Sequence, residues 1–409
     1  MFSATQESFA CMSMRFDVAI IGAGPAGSSA AYFLARAGAK VLLLDKATFP
    51  RDKTCGDGLV SRALPILSEM GMLDSIAARG WKLDHLEVSA PSGRSVHFDI
   101  PPLPHAPNHA IVIPRLELDN LLLQRAIESG ADFHAGVHVR GLHTGLDGVT
   151  ISADENYSAT LAIVATGANT ALLSSIGLNP PKPNIVAARA YFEGIDSLPP
   201  YFQFRFDGVV LPGYGWIFPL SPSSANIGAG FIRTGKLDHH QSAQTAFNSF
   251  IQSPVLKGML GSAKQVGALK SFPIRTDFAS APTIAERVLL VGEAAGLVNP
   301  LTGDGIDFAL ESGKIAAEHI LKMLRLGDVS RSQLQAYDTI LRQRYQNLFR
   351  FSESVSRMSL NRRALNWLVP LAASRPNLSE ALVNILLGAQ PAPEHLSFLR
   401  IVKGVAARL

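Results

Sequence analysis

One short stretch near the start of the chain constrains the fold more than any other. A mostly apolar, β-branched run, residues 16–21, leads into Gly22-Ala23-Gly24-Pro25-Ala26-Gly27, which an alanine-rich segment follows as far as Gly38. A second apolar run then ends at Asp45. Buried parallel strands are typically continuous apolar runs, and glycine commonly ends a helix. The pattern therefore predicts a strand, a tight turn, a helix and a second strand.

Each part of this unit suits the binding of a dinucleotide. We expect Gly22 to permit the turn, Gly24 to let the backbone approach a pyrophosphate, and Gly27 to let the helix pack close to the sheet. The free N–H groups and positive dipole end of the helix would then face two phosphates. Asp45 stands where an acid accepts hydrogen bonds from a ribose hydroxyl. The alternative is a glycine-rich turn in an ordinary α/β unit.

Composition narrows the class of protein. The 409 residues suggest two or three domains, and the chain is 47% hydrophobic and 17% charged, which indicates a folded protein that meets something apolar. The net charge is only +4, and no stripe of Arg and Lys alternates with aromatic residues, so we expect no nucleic-acid partner.

The cysteines and histidines argue against disulfides and metals. Cys11 and Cys55 are the only cysteines, too few for a disulfide framework or a cysteine-ligated zinc site, which favours a reducing cytoplasm. The histidines, among them His134, His138, His143 and the pair 239–240, lack the neighbouring acids or cysteines of a metal site. We therefore expect no metal.

The first 14 residues lack the basic start and apolar core of a signal peptide, and we expect a disordered extension there. The longest uncharged stretch, residues 160–181, is broken by two glycines and an asparagine. We therefore expect no transmembrane helix, so that any membrane contact would be peripheral.

The remaining patterns predict an α/β fold in which a second domain is inserted into the dinucleotide-binding domain. Alternating segments at residues 186–192, 201–206, 216–219 and 225–232 indicate antiparallel strands, and a hairpin is expected around residues 86–98. A buried strand at 287–293, a glycine-containing loop and a helix from Ile306 return to the first domain. The predicted parts are an extension (1–14), the dinucleotide domain (15–80, 108–182 and 284–326), an antiparallel β-sheet substrate domain (81–107 and 183–283) and a C-terminal helical region (327–409).

These motifs resemble a known group of enzymes. The glycine turn with Asp45, Arg115 in Pro-Arg-Leu-Glu-Leu-Asp, Ala165-Thr166-Gly167-Ala168 and Val291-Gly292-Glu293-Ala294-Ala295-Gly296 resemble FAD-dependent oxidoreductases built on the p-hydroxybenzoate hydroxylase plan. Residues 49–56, FPRDKTCG, and residues 214–219, YGWIFP, followed by NIGAG at 226–230, resemble more narrowly the geranylgeranyl reductase family. That family includes reductases of archaeal lipids, chlorophyll phytyl chains and menaquinone tails.

The resemblance implies that the Rossmann-type domain binds FAD. Arg115 would lie along the phosphate or ribityl part, the alternative being a surface arginine at a helix start. The family more often carries Glu at the position of Asp45 and Asp at the position of Glu293. The residues assigned to FAD are Gly22, Gly24, Pro25, Ala26, Gly27, Asp45, Lys46, Cys55, Gly56, Arg115, Ala165, Thr166, Gly167, Gly292, Glu293, Gly303, Asp304, Gly305 and Ile306.

The resemblance also implies which residues meet the substrate and the reactive ring. Cys55, Pro300 and Gly303 would be catalytic positions beside the isoalloxazine, although Cys55 is equally explained as a small buried residue. The alternating strand with Tyr214, Trp216, Phe218 and Pro219 would line the substrate pocket, whereas an aromatic strand alone is more often core.

Three functions remain open from the sequence. The favoured one is reduction of C=C bonds of a prenyl chain or a related hydrophobic substrate by hydride from reduced FAD, with NAD(P)H or a ferredoxin as electron donor. The second is an aromatic hydroxylase or halogenase of the same plan. Gly296, where hydroxylases carry His, and a single tryptophan in the aromatic strand depart from that group. The third, an electron-transfer flavoprotein, lacks cysteines for an iron–sulfur cluster.

The last ninety residues suggest where the enzyme works. Basic residues there alternate with apolar ones, which indicates either a helical region packed on the FAD domain or a surface that meets an anionic membrane. We therefore expect a cytoplasmic enzyme. The alternative is a cytoplasmic enzyme that also contacts the membrane surface peripherally.

Overall fold

The computed structural model describes residues 15–60, 62–100, 109–233, 241–359, 361–375, 378–379 and 383. The predicted N-terminal extension, residues 1–14, lies outside the described residues, as does most of the apolar stretch at 382–387. The strands are β1 (Phe16–Ile21), β2 (Val41–Asp45), β3 (Gly58–Leu59), β4 (Trp81–Leu83), β5 (His85–Ser89), β6 (Ser95–Asp99), β7 (Ala110–Val112), β8 (Asp132–Ala135), β9 (Gly141–Thr144), β10 (Val149–Ser152), β11 (Asn156–Val164), β12 (Ile185–Glu193), β13 (Phe202–Arg205), β14 (Gly213–Ser221), β15 (Ser224–Ile232), β16 (Lys264–Ile274), β17 (Ile284–Ala285) and β18 (Val288–Leu290). The helices are α1 (Pro25–Arg36), α2 (Ala63–Glu69), α3 (Leu73–Ala77), α4 (Arg115–Glu128), α5 (Ala243–Ile251), α6 (Pro254–Leu260), α7 (Ile306–Leu326), α8 (Arg331–Ser359) and α9 (Arg362–Ala373).

A mostly parallel sheet forms the centre of the dinucleotide-binding part. Its order is β17-β18-β11-β1-β2-β8, and β1 pairs in parallel with both β2 and β11. Residues 18–21 of β1 and 41–44 of β2 are buried and continuously apolar, as expected for central strands of a parallel sheet. The carboxyl ends of β1, β2 and β11 therefore meet at one edge, where ligands bind in such sheets.

A second sheet of seven strands has the order β16-β12-β15-β14-β13-β5-β6. It is antiparallel except where β13 pairs in parallel with β5. Segment β4, which we had expected in the substrate domain, pairs instead with β7 in a small third sheet. The predicted fold class is confirmed: an α/β protein with a Rossmann-type dinucleotide-binding domain, antiparallel sheets and C-terminal helices.

The helices fix the two main sheets relative to each other. Helix α1 packs along α7, and the Ser29 hydroxyl donates to the backbone oxygen of Leu310 at 2.8 Å. On α8, Tyr337, Tyr345 and Phe349 are buried in the core of the parallel sheet. On α9, Leu365 joins the apolar cluster on one face of the seven-stranded sheet. Among the described residues, no helix combines the length and apolarity needed to cross a bilayer.

Candidate active site

The turn between β1 and α1 forms a cradle for an anionic group. Gly22 has a φ of +108°, which favours glycine, and a Cβ there would lie 2.4 Å from the backbone oxygen of Ala165. A Cβ on Gly27 would lie 1.8 Å from the oxygen of Gly22, so this position admits only glycine. Helix α1 begins at Pro25 without a side-chain cap, which leaves N–H groups of its first turn free for a ligand.

A cavity of about 460 Å³ joins this cradle to the seven-stranded sheet. Most of the predicted site residues line it: Gly22, Gly24, Pro25, Ala26, Asp45, Lys46, Cys55, Gly56, Arg115, Ala165, Thr166, Gly167, Glu293, Pro300, Gly303, Asp304, Gly305, Ile306, Tyr214, Trp216 and Phe218. Residues up to 284 positions apart in the chain thus surround one space. The predicted residues that do not line it are Gly27, Gly292 and Pro219.

Each of these three exceptions has a physical reason. Gly27 serves helix packing, as its close approach to Gly22 shows. Gly292 donates its N–H to the Ser312 hydroxyl at 2.9 Å inside the protein, so its assignment to the cofactor is not supported by position. Pro219 follows Phe218 on β14, and successive residues of a strand point to opposite faces. Pro219 therefore lies on the opposite face from Phe218, and its contact with a substrate stays a prediction.

Asp45 lies at the end of β2 and already accepts two backbone hydrogen bonds. Its Oδ2 accepts from the N–H of Ala23 at 2.7 Å, and its Oδ1 accepts from the N–H of Ala47 at 2.8 Å. Each carboxylate oxygen can accept a further hydrogen bond. Asp45 therefore ties the glycine turn to β2 while remaining on the cavity, as a ribose contact requires.

Two arginines share one carboxylate beside the cradle. The Nε and NH2 groups of Arg115 donate to the two oxygens of buried Asp119 at 2.6 and 2.7 Å, and NH1 of Arg51 lies 2.9 Å from Asp119 Oδ2. NH2 of Arg51 would lie 3.5 Å from a Cβ on Gly24. Asp119 balances one of the two positive charges, so the cluster carries a net positive charge toward the phosphate cradle. Sequence reasoning singled out Arg115 and missed Arg51, although Arg51 belongs to the motif at 49–56.

Both carboxylate oxygens of Glu293 accept hydrogen bonds. Its Oε2 accepts from Nζ of Lys53 at 3.2 Å, and its Oε1 accepts from the backbone N–H of Arg275 at 3.1 Å. The carboxylate lies next to Gly167 on the cavity wall. Its contact with the ribityl chain stays a prediction, and the structure adds the Lys53 ion pair that such a contact would share.

Hydrogen bonds hold the loop before α7 in one conformation beside the cavity. Asn299 Oδ1 accepts from the N–H of Leu301 at 2.9 Å, and the Gly303 N–H donates to the Asn299 backbone oxygen at 2.9 Å. Tyr214 donates its hydroxyl to the backbone oxygen of Thr302, which joins the loop to β14. This loop places Pro300 and Gly303 opposite the aromatic strand.

Two carboxyl groups lie at the start of α7. Burial and the neighbouring Asp307 raise the pKa of Asp304 well above its usual value, and burial raises the pKa of Asp307 to about 6 although Arg62 lies 3.5 Å away. Asp304 lines the cavity and Asp307 is fully buried. The pair therefore retains a proton close to neutral pH.

Aromatic rings form one wall of the cavity. Tyr214, Trp216 and Phe218 alternate along β14, with neighbouring centroids 6.0 and 6.4 Å apart. Phe202 packs edge-on against Phe218 at 4.8 Å, and Phe204 extends the wall toward Tyr214. This wall faces the cradle rather than a closed core, which the sequence alone left undecided.

Cys55 lies between the aromatic wall and Arg115. Burial raises the pKa of its thiol, which keeps the sulfur protonated, although Arg115 acts in the opposite direction. A Cβ on the adjacent Gly56 would lie 2.9 Å from the Phe218 ring, so this loop packs directly on the wall. A catalytic role of Cys55 stays a prediction.

No sequence motif indicates several polar residues that lie around Cys55. Asp57, Tyr191, Arg189 and Asn226 are distant in sequence and form a network beneath this loop. Arg189 donates to the backbone oxygen of Lys53 at 3.1 Å and pairs with Asp52. Asp57 has a φ of +67°, which is rare for a residue with a side chain and marks a constrained position.

Comparison with known proteins places this site in a family. Residues 15–185 match the family model described as an FAD binding domain. A menaquinone reductase of Mycolicibacterium smegmatis is 31% identical over 387 residues, covering 92% of each chain. A digeranylgeranylglycerophospholipid reductase of Methanopyrus kandleri is 30% identical over 386 residues, covering 90% of this chain and 97% of the other. The chain belongs to the geranylgeranyl reductase family of FAD-dependent oxidoreductases.

Solved structures of this fold extend beyond reductases. A geranylgeranyl bacteriochlorophyll reductase-like protein of Thermoplasma acidophilum superimposes with a TM-score of 0.77 at 23% identity, covering 95% of this chain and 99% of the other. A flavin-dependent brominase superimposes with a TM-score of 0.75 at 20% identity, covering 97% and 99%. These likenesses show the fold, which family members share with halogenases.

The residues present fit FAD. The glycine cradle excludes side chains where the pyrophosphate must approach, and uncapped N–H groups face that position. Arg51 supplies positive charge beside it, and Asp45 lies at the end of the neighbouring strand. In this family member the cradle would hold the pyrophosphate, and the loop at 300–305 would lie along the ring system.

Proposed function

We propose that this FAD-dependent oxidoreductase reduces C=C bonds of a prenyl chain or a related hydrophobic substrate. The observation that carries the proposal is the aromatic wall of Tyr214, Trp216 and Phe218, which faces the dinucleotide cradle across one cavity. Relatives that match most of this chain are named as menaquinone reductase and as digeranylgeranylglycerophospholipid reductase. Both names support an extended isoprenoid substrate.

This reaction requires few polar contacts between the protein and the substrate. When bound, FAD in its reduced state supplies the hydride. An isolated double bond offers no carbonyl to polarise, so the residues of the chain contribute mainly by orienting the substrate and excluding water. The Tyr214 hydroxyl is bound to Thr302, which leaves the ring to pack against an apolar chain. Protonated Cys55 adds a small group of low polarity to the same surface.

One geometric observation speaks against the hydroxylase alternative. Gly296 has a φ of +74°, and a Cβ there would lie 2.7 Å from the backbone nitrogen of Phe278. A histidine, which hydroxylases of this plan carry at this point, therefore has no room without movement of the backbone. The halogenase alternative keeps the support of a shared fold.

Anaerobic reoxidation tests the proposal. The protein is reduced with dithionite and mixed separately with a menaquinone, a geranylgeranylated lipid and oxygen, while the flavin absorbance is followed. We expect fast reoxidation by a prenyl substrate, with a product two mass units heavier per reduced bond, and slow reoxidation by oxygen. Fast reoxidation by oxygen without any reduced prenyl product would instead favour a monooxygenase. Reduction by NADPH compared with reduction by a reduced ferredoxin identifies the electron donor, which we propose to be one of these two.

We further propose that the protein meets its substrate at an anionic membrane surface through α9. The buried face of α9 packs through Leu365 and Val369 into the same apolar cluster as Trp216 and Phe218 of the cavity wall. Its outer face exposes Arg362, Arg363 and Trp367, the last with 42% of its surface accessible. An exposed tryptophan beside arginines suits the interface of an anionic bilayer. Arg342 and Arg344 of α8 pair with Asp338 and Glu311 and are excluded from this surface.

Flotation with liposomes tests this contact. We expect binding to vesicles with anionic phospholipid, loss of binding at high salt, and no binding to neutral vesicles, because each surface arginine contributes only about 1 kcal/mol. Arg362→Glu with Arg363→Glu should abolish recruitment, whereas the same charge change at exposed Arg331 and Arg350 of α8 should weaken it far less. If the two double variants are recruited to the vesicles equally, or if the parent is not recruited, α9 serves only to pack against the rest of the protein.

A further inference from the structure

Asn226 links the loop that carries Cys55 to the aromatic wall. Its side chain is fully buried. Its Nδ2 group donates to the backbone oxygen of Cys55 at 2.8 Å and to Oδ2 of Asp57 at 2.7 Å. Its Oδ1 accepts from Nε1 of Trp216 at 3.0 Å. Both N–H donors and the acceptor of one amide are therefore used by three groups that line the same cavity.

The chemistry of the three partners fixes the orientation of this amide. The indole of Trp216 can only donate, the Cys55 carbonyl can only accept, and an ionised Asp57 can only accept. A residue at position 226 must therefore provide two donors and one acceptor in one plane. Aspartate lacks the donors and a hydroxyl lacks one of them, so asparagine is the side chain of this length that satisfies all three.

The groups held by Asn226 also pack without spare room. The Trp216 ring covers Gly228, where a Cβ would lie 2.1 Å from its Cζ2 atom, and Gly56 approaches the same ring and that of Phe218. Asp57 is further fixed by the Tyr191 hydroxyl at 2.7 Å and by the Arg115 N–H at 3.3 Å. Loss of the Asn226 hydrogen bonds would therefore allow both the Cys55 loop and the Trp216 indole to move.

We propose that Asn226 is a positioning residue that holds the Cys55 loop against the Trp216 indole on one wall of the cavity. The shape of this wall determines where a substrate chain can lie beside the cradle, so Asn226 controls how closely the reacting bond is held. The expected effect of Asn226 on turnover rests on the proposed function. The claim that Asn226 holds the Cys55 loop and the Trp216 indole rests on the contacts alone. The two are tested by different measurements.

The reactivity of Cys55 reports the link without any turnover. In a Cys11→Ala background, Cys55 is the only cysteine of the chain. Asn226→Ala leaves the Cys55 carbonyl and the Trp216 N–H without their partner and removes one of the donors to Asp57. We expect alkylation of Cys55 by N-ethylmaleimide to become at least about tenfold faster, since about one or more net hydrogen bonds are lost. FAD content should be retained. Asn248→Ala, which removes an exposed amide from α5, should leave the alkylation rate unchanged.

Asn226→Asp separates positioning from a general loss of packing. It keeps the acceptor for Trp216 and sets a second carboxyl group beside Asp57, where two buried carboxylates cannot both ionise easily. While the pair holds a proton, the new carboxyl donates to Asp57 as the amide did. On deprotonation the two groups repel. The charged and titratable groups that face this pair are Cys55, Arg115, Tyr191, Arg189 and Lys53.

We therefore expect the alkylation rate of Asn226→Asp, divided by that of the parent at the same pH, to be only modestly raised at about pH 5.5, where the bond to the Cys55 oxygen is lost, and to reach about tenfold at about pH 9, where the bond to Asp57 is lost as well. A ratio that does not change with pH, or an unchanged rate in Asn226→Ala, would overturn the proposal. If Asn226→Ala fails to fold, the pH dependence of Asn226→Asp tests the proposal by itself.

Where the parent turns over prenyl substrate, Asn226→Ala should lower kcat while FAD is retained. A parent that shows this alkylation pattern and no turnover would refute the proposed function and leave the positioning role intact.

Discussion

Replacement of Gly24 by valine should remove FAD without unfolding the protein. Gly24 has a φ of −73° and a ψ of −173°, an extended conformation that valine adopts readily, and a Cβ there would contact only NH2 of Arg51 at 3.5 Å. The added methyl groups would instead project over the first turn of α1, where the pyrophosphate must approach. The fold therefore tolerates the change and the ligand does not.

The expected loss follows from the contacts that the methyl groups displace. A hydrogen bond to a charged group contributes about 1.5–3 kcal/mol, and a helix N-terminus adds about 0.3–1 kcal/mol for an anion. Loss of one to two such contacts amounts to roughly 3–4 kcal/mol, or an increase in the Kd for FAD of about 100- to 1000-fold. Titration of the apoprotein with FAD, followed by flavin fluorescence, measures this directly.

Two controls sharpen this experiment. Gly258→Val places the same side chain on α6, where no atom lies within 4 Å, and should leave FAD binding unchanged. Thermal unfolding of apo Gly24→Val should match that of the apo parent. FMN, which lacks the adenosine diphosphate half, should bind the parent weakly. Full FAD occupancy in Gly24→Val, or tight FMN binding by the parent, would refute the assignment of the glycine turn to the pyrophosphate.

Two further changes probe the substrate wall and its support. Trp216→Ala should raise the KM for a prenyl substrate by about tenfold or change the accepted chain length while the flavin spectrum is retained, because the indole belongs to β14 and not to the cradle; loss of flavin with unaltered substrate handling would contradict this. Burial raises the pKa of Asp57 to about 6, so the folded state binds a proton more tightly than the unfolded state, and stability should fall by up to about 3 kcal/mol as pH rises from about 4 to about 7. Asp57→Asn should flatten this fall in thermal melts, and an unchanged slope would show that the proton resides elsewhere.

The dinucleotide unit was predictable because its determinants are local. The apolar runs at β1 and β2, the glycines between them and Asp45 lie within thirty consecutive residues, and strand and helix periods act over such distances. Gly22 and Gly27 are required by the backbone geometry of one turn, so their spacing alone carries the information. The family resemblance added the aromatic strand and the loop before α7 in the same way, as contiguous motifs.

Pro219 and Gly292 show how far contiguous motifs can be carried. A motif groups residues by sequence, whereas a strand separates neighbours onto opposite faces, and Pro219 falls on the face away from the cavity. Gly292 belongs to a motif of cofactor-binding loops, yet its N–H is taken by Ser312 of α7. Membership of a motif therefore indicates the loop and not each contact.

Tertiary structure alone decided how charges and amides around the cavity are paired. Asp119 meets Arg51, Lys53 meets Glu293, and Asn226 meets Cys55 and Asp57 across about 170 positions of sequence. No periodicity encodes such pairs, because they arise only when distant segments pack together and buried polar groups must find partners or lose their hydration. The sequence by itself determined which chemistry this protein can hold, and the packing of the second sheet on the first determined the space in which that chemistry can act.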